Sequence, residues 1–121
     1  MLKKSRNFHD YQVWQEAVDF ATKVYEVTTS LPYFEKRGLC DQLQRAVVSI
    51  SSNIAEGSGR SSDMDFAHFL EMAIGSANEV ETQLLISKNL NYITQGQYDT
   101  LMSDLINIRK QLIGLVNAIR N

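Results

Sequence analysis

Carboxylates and histidines are the residues most able to do chemistry in this chain. Glu56, Glu79 and Glu81 invite comparison with di-iron sites, which need Glu-x-x-His on paired helices. His9 and His68 are the only histidines, and neither follows a Glu by three positions. Asp65 and His68 have that spacing, but the pattern has no second copy. The ligand supply falls short of a metal centre. Cys40 is the lone cysteine, so it forms no internal disulfide and joins no Cys/His zinc cluster. It reads as a buried or half-buried structural thiol. There is no G-x-S-x-G and no phosphate-cradling glycine loop. The Gly57-Ser58-Gly59 break could hold an anion with Arg60 at a helix N-terminus, but a plain helix connection accounts for it more simply. The inventory therefore points to a protein that is not an enzyme and uses no metal or cofactor.

Other polar residues lie inside apolar helical stretches. Arg45, Asn53, Glu56, Glu79 and Glu81 form a candidate structural polar network. A buried Arg45–Glu79 or Arg45–Glu81 pair would fix helix register rather than add stability. Glu79 and Glu81 are two apart, so only one can face the second helix. Basic residues mark a candidate nucleic-acid contact: Lys3, Lys4 and Arg6 form an arm, and Arg60 returns beside it. His9 and Tyr11 could stack on bases there. Lys36 and Arg37 fall at the opposite end, a full helix away, and Arg109, Lys110 and Arg120 supply further cations. A solvated charged end is the plainer reading.

Four amphipathic helices must position these groups. The spacing predicts the first over Asp10 to Ser30, with Asp10 as N-cap and Trp14, Ala17, Val18, Ala21, Val24, Tyr25 and Thr28 recurring at helical steps. Pro32 stops it. Tyr33 and Phe34 are expected to anchor the connection onto the core. The second helix is expected over Leu39 to Glu56, buried through Leu39, Leu43, Ala46, Ile50 and Ile54, with Val47 and Val48 widening the stripe. Gly57-Ser58-Gly59 ends it with left-handed glycine. Ser62 then caps a third helix, Asp63 to Leu90, whose seam is Phe66, Leu70, Ala73, Ala77, Val80 and Leu84. Phe69, Ile74 and Leu85 flank that seam, and Gly75-Ser76-Ala77 would let a neighbour approach closely. Thr94 and Gln97 make a capping box for a fourth helix reaching Arg120. Its seam is Tyr98, Leu101, Leu105, Ile108, Leu112, Leu115 and Ile119. Met102, Ile106, Ile113 and Val116 add a second strip, which is either extra burial or an oligomer interface, the second being the stronger reading. Short connections favour an up-down-up-down bundle.

Composition narrows the class. The 121 residues fit one domain, residues 1–9 being a flexible basic tail, and 44% hydrophobic content supplies a core. One Pro and six Gly argue against turn-rich β architecture. Net charge is −2, so a dedicated nucleic-acid binder is not the natural reading. No apolar run reaches the length of a membrane span, and MLKKSRNF has no secretory apolar core, so a cytoplasmic protein with no membrane partner is expected.

The stretches VWQEA (Val13 to Ala17), Gly38-Leu39 with QLQRA (Gln42 to Ala46) and SISSNIAEG (Ser49 to Gly57) carry a family resemblance. So do Arg60, DFAHFLEMAIGS (Asp65 to Ser76) and EVETQL (Glu79 to Leu84). Together they cover nearly the whole chain. It resembles the four-helix bundle proteins encoded in intervening sequences of bacterial 23S ribosomal RNA genes. Relatives include the accessory variability determinants of diversity-generating retroelements. Ser51 departs from the family, where many relatives have Pro, which leaves the second helix straighter here. The resemblance implies an antiparallel four-helix bundle and, for several relatives, a homopentameric ring. For the retroelement relatives it implies a basic ring that binds nucleic acid and a reverse transcriptase; the acidic balance here runs against that. For the rRNA-encoded branch the cellular role is obscure. The expected function is a non-enzymatic homo-oligomeric scaffold, with an RNA- or DNA-binding accessory protein as the alternative.

Overall fold

The computed structural model describes residues 6–121; Lys3 and Lys4 lie outside the described residues. The chain is all-α. Four long helices run over Gln12–Thr28 (α1), Leu39–Ser58 (α2), Asp63–Asn89 (α3) and Gln95–Arg120 (α4), with short 3-10 turns at Phe8–Asp10 and Tyr33–Glu35. There is no strand among the described residues. Each helix packs on two others in a cycle: α1 on α2, α2 on α3, α3 on α4, and α4 on α1. Their inward faces share one core, in which Phe20, Leu43, Ile50, Ile54, Leu70, Leu84, Leu105, Ile108 and Leu112 are fully buried. Phe20 did not stand out in the apolar spacing of α1, whereas Tyr25, expected in its stripe, is exposed.

The helix ends differ from the sequence expectation in instructive ways. Asp10 closes a 3-10 turn instead of capping α1. That turn is capped by Asn7, whose side chain accepts from the His9 amide, and Tyr11 precedes α1 without a side-chain bond. At the other end of α1, Thr28, Thr29 and Ser30 donate their hydroxyls to the carbonyls of Tyr25, Glu26 and Val27, each at 2.7 Å. The Glu26 and Val27 carbonyls also accept the backbone amides of Thr29 and Ser30, so the last turn is closed twice over. Tyr33 and Phe34 are not anchors: they are 85% and 75% exposed. Leu31 and Ile93 bury there instead. Glu35 ties the junction, accepting from the Leu39 amide (3.2 Å) and the Tyr92 hydroxyl (3.0 Å).

Helix α2 continues to Ser58, and no glycine among the described residues has positive φ. Gly57 serves close approach instead. A Cβ there would stand 2.6 Å from the Phe69 Cβ and 3.1 Å from Phe66 Cδ1. The residue that does take left-handed geometry is Asn91, at φ 61°, in the turn before α4. Asn tolerates that region better than most residues. Ser62 caps α3 through the Asp65 amide, and Thr94 with Gln97 forms the reciprocal capping box of α4. Of the three small residues in mid-α3, Ser76 and Ala77 face inward, while Gly75 looks onto open space.

Candidate functional site

Helices α2 and α3 meet closely but leave an open polar groove of ≈ 350 Å³ along their outer seam. Gln42, Arg45, Ala46 and Ser49 line it from α2; Ser76, Glu79 and Gln83 line it from α3. The lining follows from helical spacing, since residues seven apart on α3 return to one face. At the floor the Ser49 and Ser76 hydroxyls are 2.8 Å apart. The Asn53 amide donates to the Ser49 hydroxyl and carbonyl, both at 2.9 Å. Asn53 thereby restrains the α2 side of this contact. Gln83 is 9% exposed, and its side-chain carbonyl oxygen has no hydrogen-bond partner among the described residues. A buried acceptor left unmet costs free energy.

The expected polar network does not form as one unit. Arg45 points outward, with its side chain 80% exposed, and pairs with Asp41 on its own helix at 3.0 Å. Glu81 turns to α4, where Arg109 donates to it at 2.6 Å. Glu79 sits on the groove side without a charge partner among the described residues. The two-residue offset between Glu79 and Glu81 sends them to opposite flanks of α3. Glu56 pairs with Arg60 one turn on, at 2.8 Å. Only Asn53 joins the interhelical hydroxyl cluster.

The basic end is closely self-engaged. Arg6 donates to the Arg60 carbonyl at 2.7 Å and pairs with Asp63, while its guanidinium lies 4.9 Å from the Phe66 ring centre. Arg60 lies 4.6 Å from the Phe69 ring centre. His9 packs between Phe8 and Trp14, and Tyr11 packs against Phe66. Arg6 and Arg60 thus come together as the sequence suggested, with counter-charges and aromatic faces supplied by this chain.

The second strip of α4 divides. Met102 and Val116 are 9% and 7% exposed and belong to the core. Ile106 and Ile113 are 52% and 44% exposed. Arg109 with Glu81 and Arg120 with Glu71 (2.7 Å) set the register of α3 on α4. That register brings the exposed Leu85 of α3 level with Ile106. Two titrations are shifted at other helix contacts. The hydrogen bond that Lys23 donates to Asp104, with the negative charge of that carboxylate, raises the Lys23 pKa, and burial with the Glu35 carboxylate raises that of Tyr92. Among the described residues no three His, Cys, Asp or Glu side chains gather where they could hold a metal ion.

The family model of the 23S rRNA-intervening sequence protein matches residues 9–114. The chain belongs to this family. It is also similar, at 30% identity and a TM-score of 0.79, to the crystal structure of a protein with unknown function from the S23 ribosomal protein family of Bacteroides thetaiotaomicron VPI-5482. That similarity covers 86% of this chain and 97% of the other. No curated protein matches the chain. The span shared with the intervening-sequence family takes in the whole groove and the two exposed isoleucines of α4, and it begins after Arg6. No helix among the described residues is long and apolar enough to cross a membrane.

Sequence reasoning missed Gln83 and the Ser49–Ser76 contact. The available signal was the seven-residue spacing of Ser76 and Gln83, with Glu79 between them, on the flank of α3 beside its apolar seam.

Proposed function

We propose that this member of the 23S rRNA-intervening sequence family is a non-enzymatic, self-associating scaffold. Its unit is an antiparallel up-down-up-down bundle, and its assembled form is a homo-oligomeric ring. The antiparallel reading is supported by how contacts run along each helix pair. Glu16 meets Asn107 and Gln111, whereas Lys23, further along α1, meets Asp104. Glu71 pairs with Arg120 and Glu81 with Arg109. Ser49 meets Ser76, whereas Gly57 lies against Phe69. In each pair the numbers rise on one helix as they fall on the other.

The observation that carries self-association is the exposure of Ile106 and Ile113 on one face of α4. Leu85 extends this apolar surface onto α3. Apolar side chains clustered on the outside of a small protein favour a partner surface. The carboxylates support a structural role, because Glu56, Glu71 and Glu81 are each engaged by an arginine. The ring and its five-fold number rest on the family resemblance. Five copies of the 13.8 kDa chain have a mass of about 69 kDa. Light scattering behind size exclusion is expected to give a multiple of the chain mass. The double variant Ile106→Glu, Ile113→Glu is expected to give a monomer. An unchanged mass and melting temperature in that variant would remove this face from the assembly.

The nucleic-acid accessory reading, with a reverse transcriptase as one partner, takes second place. Arg6 and Arg60 already have Asp63 and Glu56 as counter-charges. Binding that weakens with salt, and weakens again when Lys3, Lys4, Arg6 and Arg60 are neutralised, would promote it.

A further inference from the structure

The cations of this chain fall into two groups. Arg6, Lys23, Arg45, Arg60, Arg109 and Arg120 each pair with a carboxylate of the same chain. Lys36, Arg37, Lys88 and Lys110 form no ion pair among the described residues. The first three of these unpaired cations stand at one end of the bundle. There the α1–α2 connection lies on the turn between α3 and α4. Ser30 donates to the Tyr92 carbonyl at 2.9 Å, and the Phe34 and Tyr92 rings meet edge-on with centres 6.5 Å apart. Lys36 and Arg37 lead from that connection into α2, and Lys88 sits in the last turn of α3. Lys36 lies 5.6 Å from the Tyr33 ring centre, and Lys88 lies 5.1 Å from that of Tyr98. A ring face holds a cation in place without cancelling its charge. The nearby carboxylates are engaged: Glu35 by the Leu39 amide and the Tyr92 hydroxyl, Asp41 by Arg45, and Asp99 by Gln95.

The same end exposes apolar side chains. Tyr33 and Phe34 are the two most exposed large hydrophobic residues among those described, and Leu90, at the C-cap of α3, is about half exposed. The core makes no use of them, because Leu31 and Ile93 fill it from the same connections. Aromatic and aliphatic side chains at a tip, flanked by unpaired cations, match the layers of an anionic bilayer surface. Such a surface presents phosphates outermost and an apolar boundary just beneath.

We propose that this end of the bundle docks on an anionic phospholipid surface. Tyr33, Phe34 and Leu90 enter the headgroup boundary, and Lys36, Arg37 and Lys88 lie against the lipid phosphates. The expectation of no membrane partner followed from the lack of a spanning segment, and a surface contact needs none. Leu90 separates this occupant from single-stranded nucleic acid, since an aliphatic side chain has no π-face for a base. The aromatic rings also sit at a tip rather than along a groove that tracks a nucleic-acid backbone. One copy of the chain suffices, so the contact does not require self-association.

Flotation of the full chain with phosphatidylglycerol or phosphatidylcholine vesicles tests the contact, with melting curves to verify that each variant folds. Binding is expected on phosphatidylglycerol, at least about tenfold tighter than on phosphatidylcholine, and weaker as salt is added. Neutralising Lys36, Arg37 and Lys88 to Gln together is expected to cost on the order of a hundredfold, from roughly fivefold per cation. Tyr33→Ser with Phe34→Ser is expected to cost at least about tenfold, because apolar area no longer leaves water. Phe34→Trp places an indole at the tip, whereas Trp14 packs against Phe8 and His9 at the far end of α1. Brominated phospholipid is expected to quench the introduced indole and to leave the wild-type fluorescence unchanged. No binding to phosphatidylglycerol at low salt would overturn the proposal. Binding that both tip variants leave intact would do the same, by moving the contact elsewhere. An introduced indole that stays unquenched on bound vesicles would overturn insertion. A single-stranded oligouridylate that binds through these residues while vesicles do not would assign the tip to nucleic acid instead.

Discussion

The α2–α3 contact and the α1–α4 contact join helices by different means. Between α2 and α3 the backbones approach where side chains are small. Gly57 lies under Phe69 and Phe66, and Ser49 meets Ser76 directly. Between α1 and α4, buried apolar residues are bordered by long polar bridges: Glu16 to Asn107 and Gln111, and Lys23 to Asp104. The first contact is set by volume, so it has little room to adjust. The second is bordered by side chains that can rotate and exchange partners with water. Substitutions that add volume should therefore cost more in the first contact than in the second, and two glycines show how local that volume limit is.

Gly57→Ala carries the largest expected effect. Its new methyl would stand 2.6 Å from the Phe69 Cβ, an atom fixed to the α3 backbone, so the helices must part. Overpacking of this kind costs about 1–3 kcal/mol, and the better helix propensity of Ala returns only roughly 0.5–1 kcal/mol. A net loss of about 1–2 kcal/mol in denaturant unfolding is expected. Unchanged or higher stability would show that the α2–α3 contact is looser than its geometry. Gly75→Ala sharpens the point from the same helix pair. A Cβ at Gly75 meets nothing within 4 Å. Only the propensity gain remains, so this variant is expected to be more stable by about 0.5–1 kcal/mol. If both alanines destabilise, distance to the neighbouring helix is not what separates the two glycines.

Much of the scaffold was legible in the sequence because periodicity and capping are local. The α3 seam from Phe66 to Leu84 is buried as spaced, and the Thr94–Gln97 capping box forms. What was not legible depends on which neighbour a flank meets. Gly57 looked like a helix stop because glycine commonly ends helices; its reason lies in Phe69, twelve residues on and across an interhelical contact. Arg45 was matched to Glu79 or Glu81 on charge alone, but Asp41 is one turn away on its own helix and needs no desolvation. Tyr33 and Phe34 followed hydrophobicity, while the connection placed Leu31 inward instead. Met102 and Val116 share a strip with Ile106 and Ile113 by spacing, yet the first pair is buried in the core and the second is exposed. The unmet oxygen of Gln83 has no sequence signature, because it depends on the absence of a donor from surrounding elements.

The smallest expected effect probes the polar border of α1 and α4. Asp104 accepts from Lys23 at 2.9 Å, and this hydrogen bond, followed by the attraction of the same carboxylate, raises the Lys23 pKa above 10.5. A cation with a raised folded-state pKa is bound more tightly as a cation in the folded chain. Its stabilising contribution is fully present below the unfolded value and is lost as pH rises through the raised folded value. Asp104→Asn removes the charge, so it should lower stability slightly near neutrality and cost progressively less toward alkaline pH. Tyr92 also has a raised pKa, and its own contribution disappears in the same direction. The comparison therefore belongs in a Tyr92→Phe background, where the remaining alkaline change reports on Lys23. Stability would be measured with and without Asp104→Asn between about pH 8 and about pH 11.5, spanning the lysine titration. The difference is expected to shrink with rising pH, and also with added salt, because exposed charges are screened. A difference that stays constant across that range would mean that Asp104 supports α1 by packing alone. The α1–α4 border would then resemble the α2–α3 contact more closely than its bridges suggest.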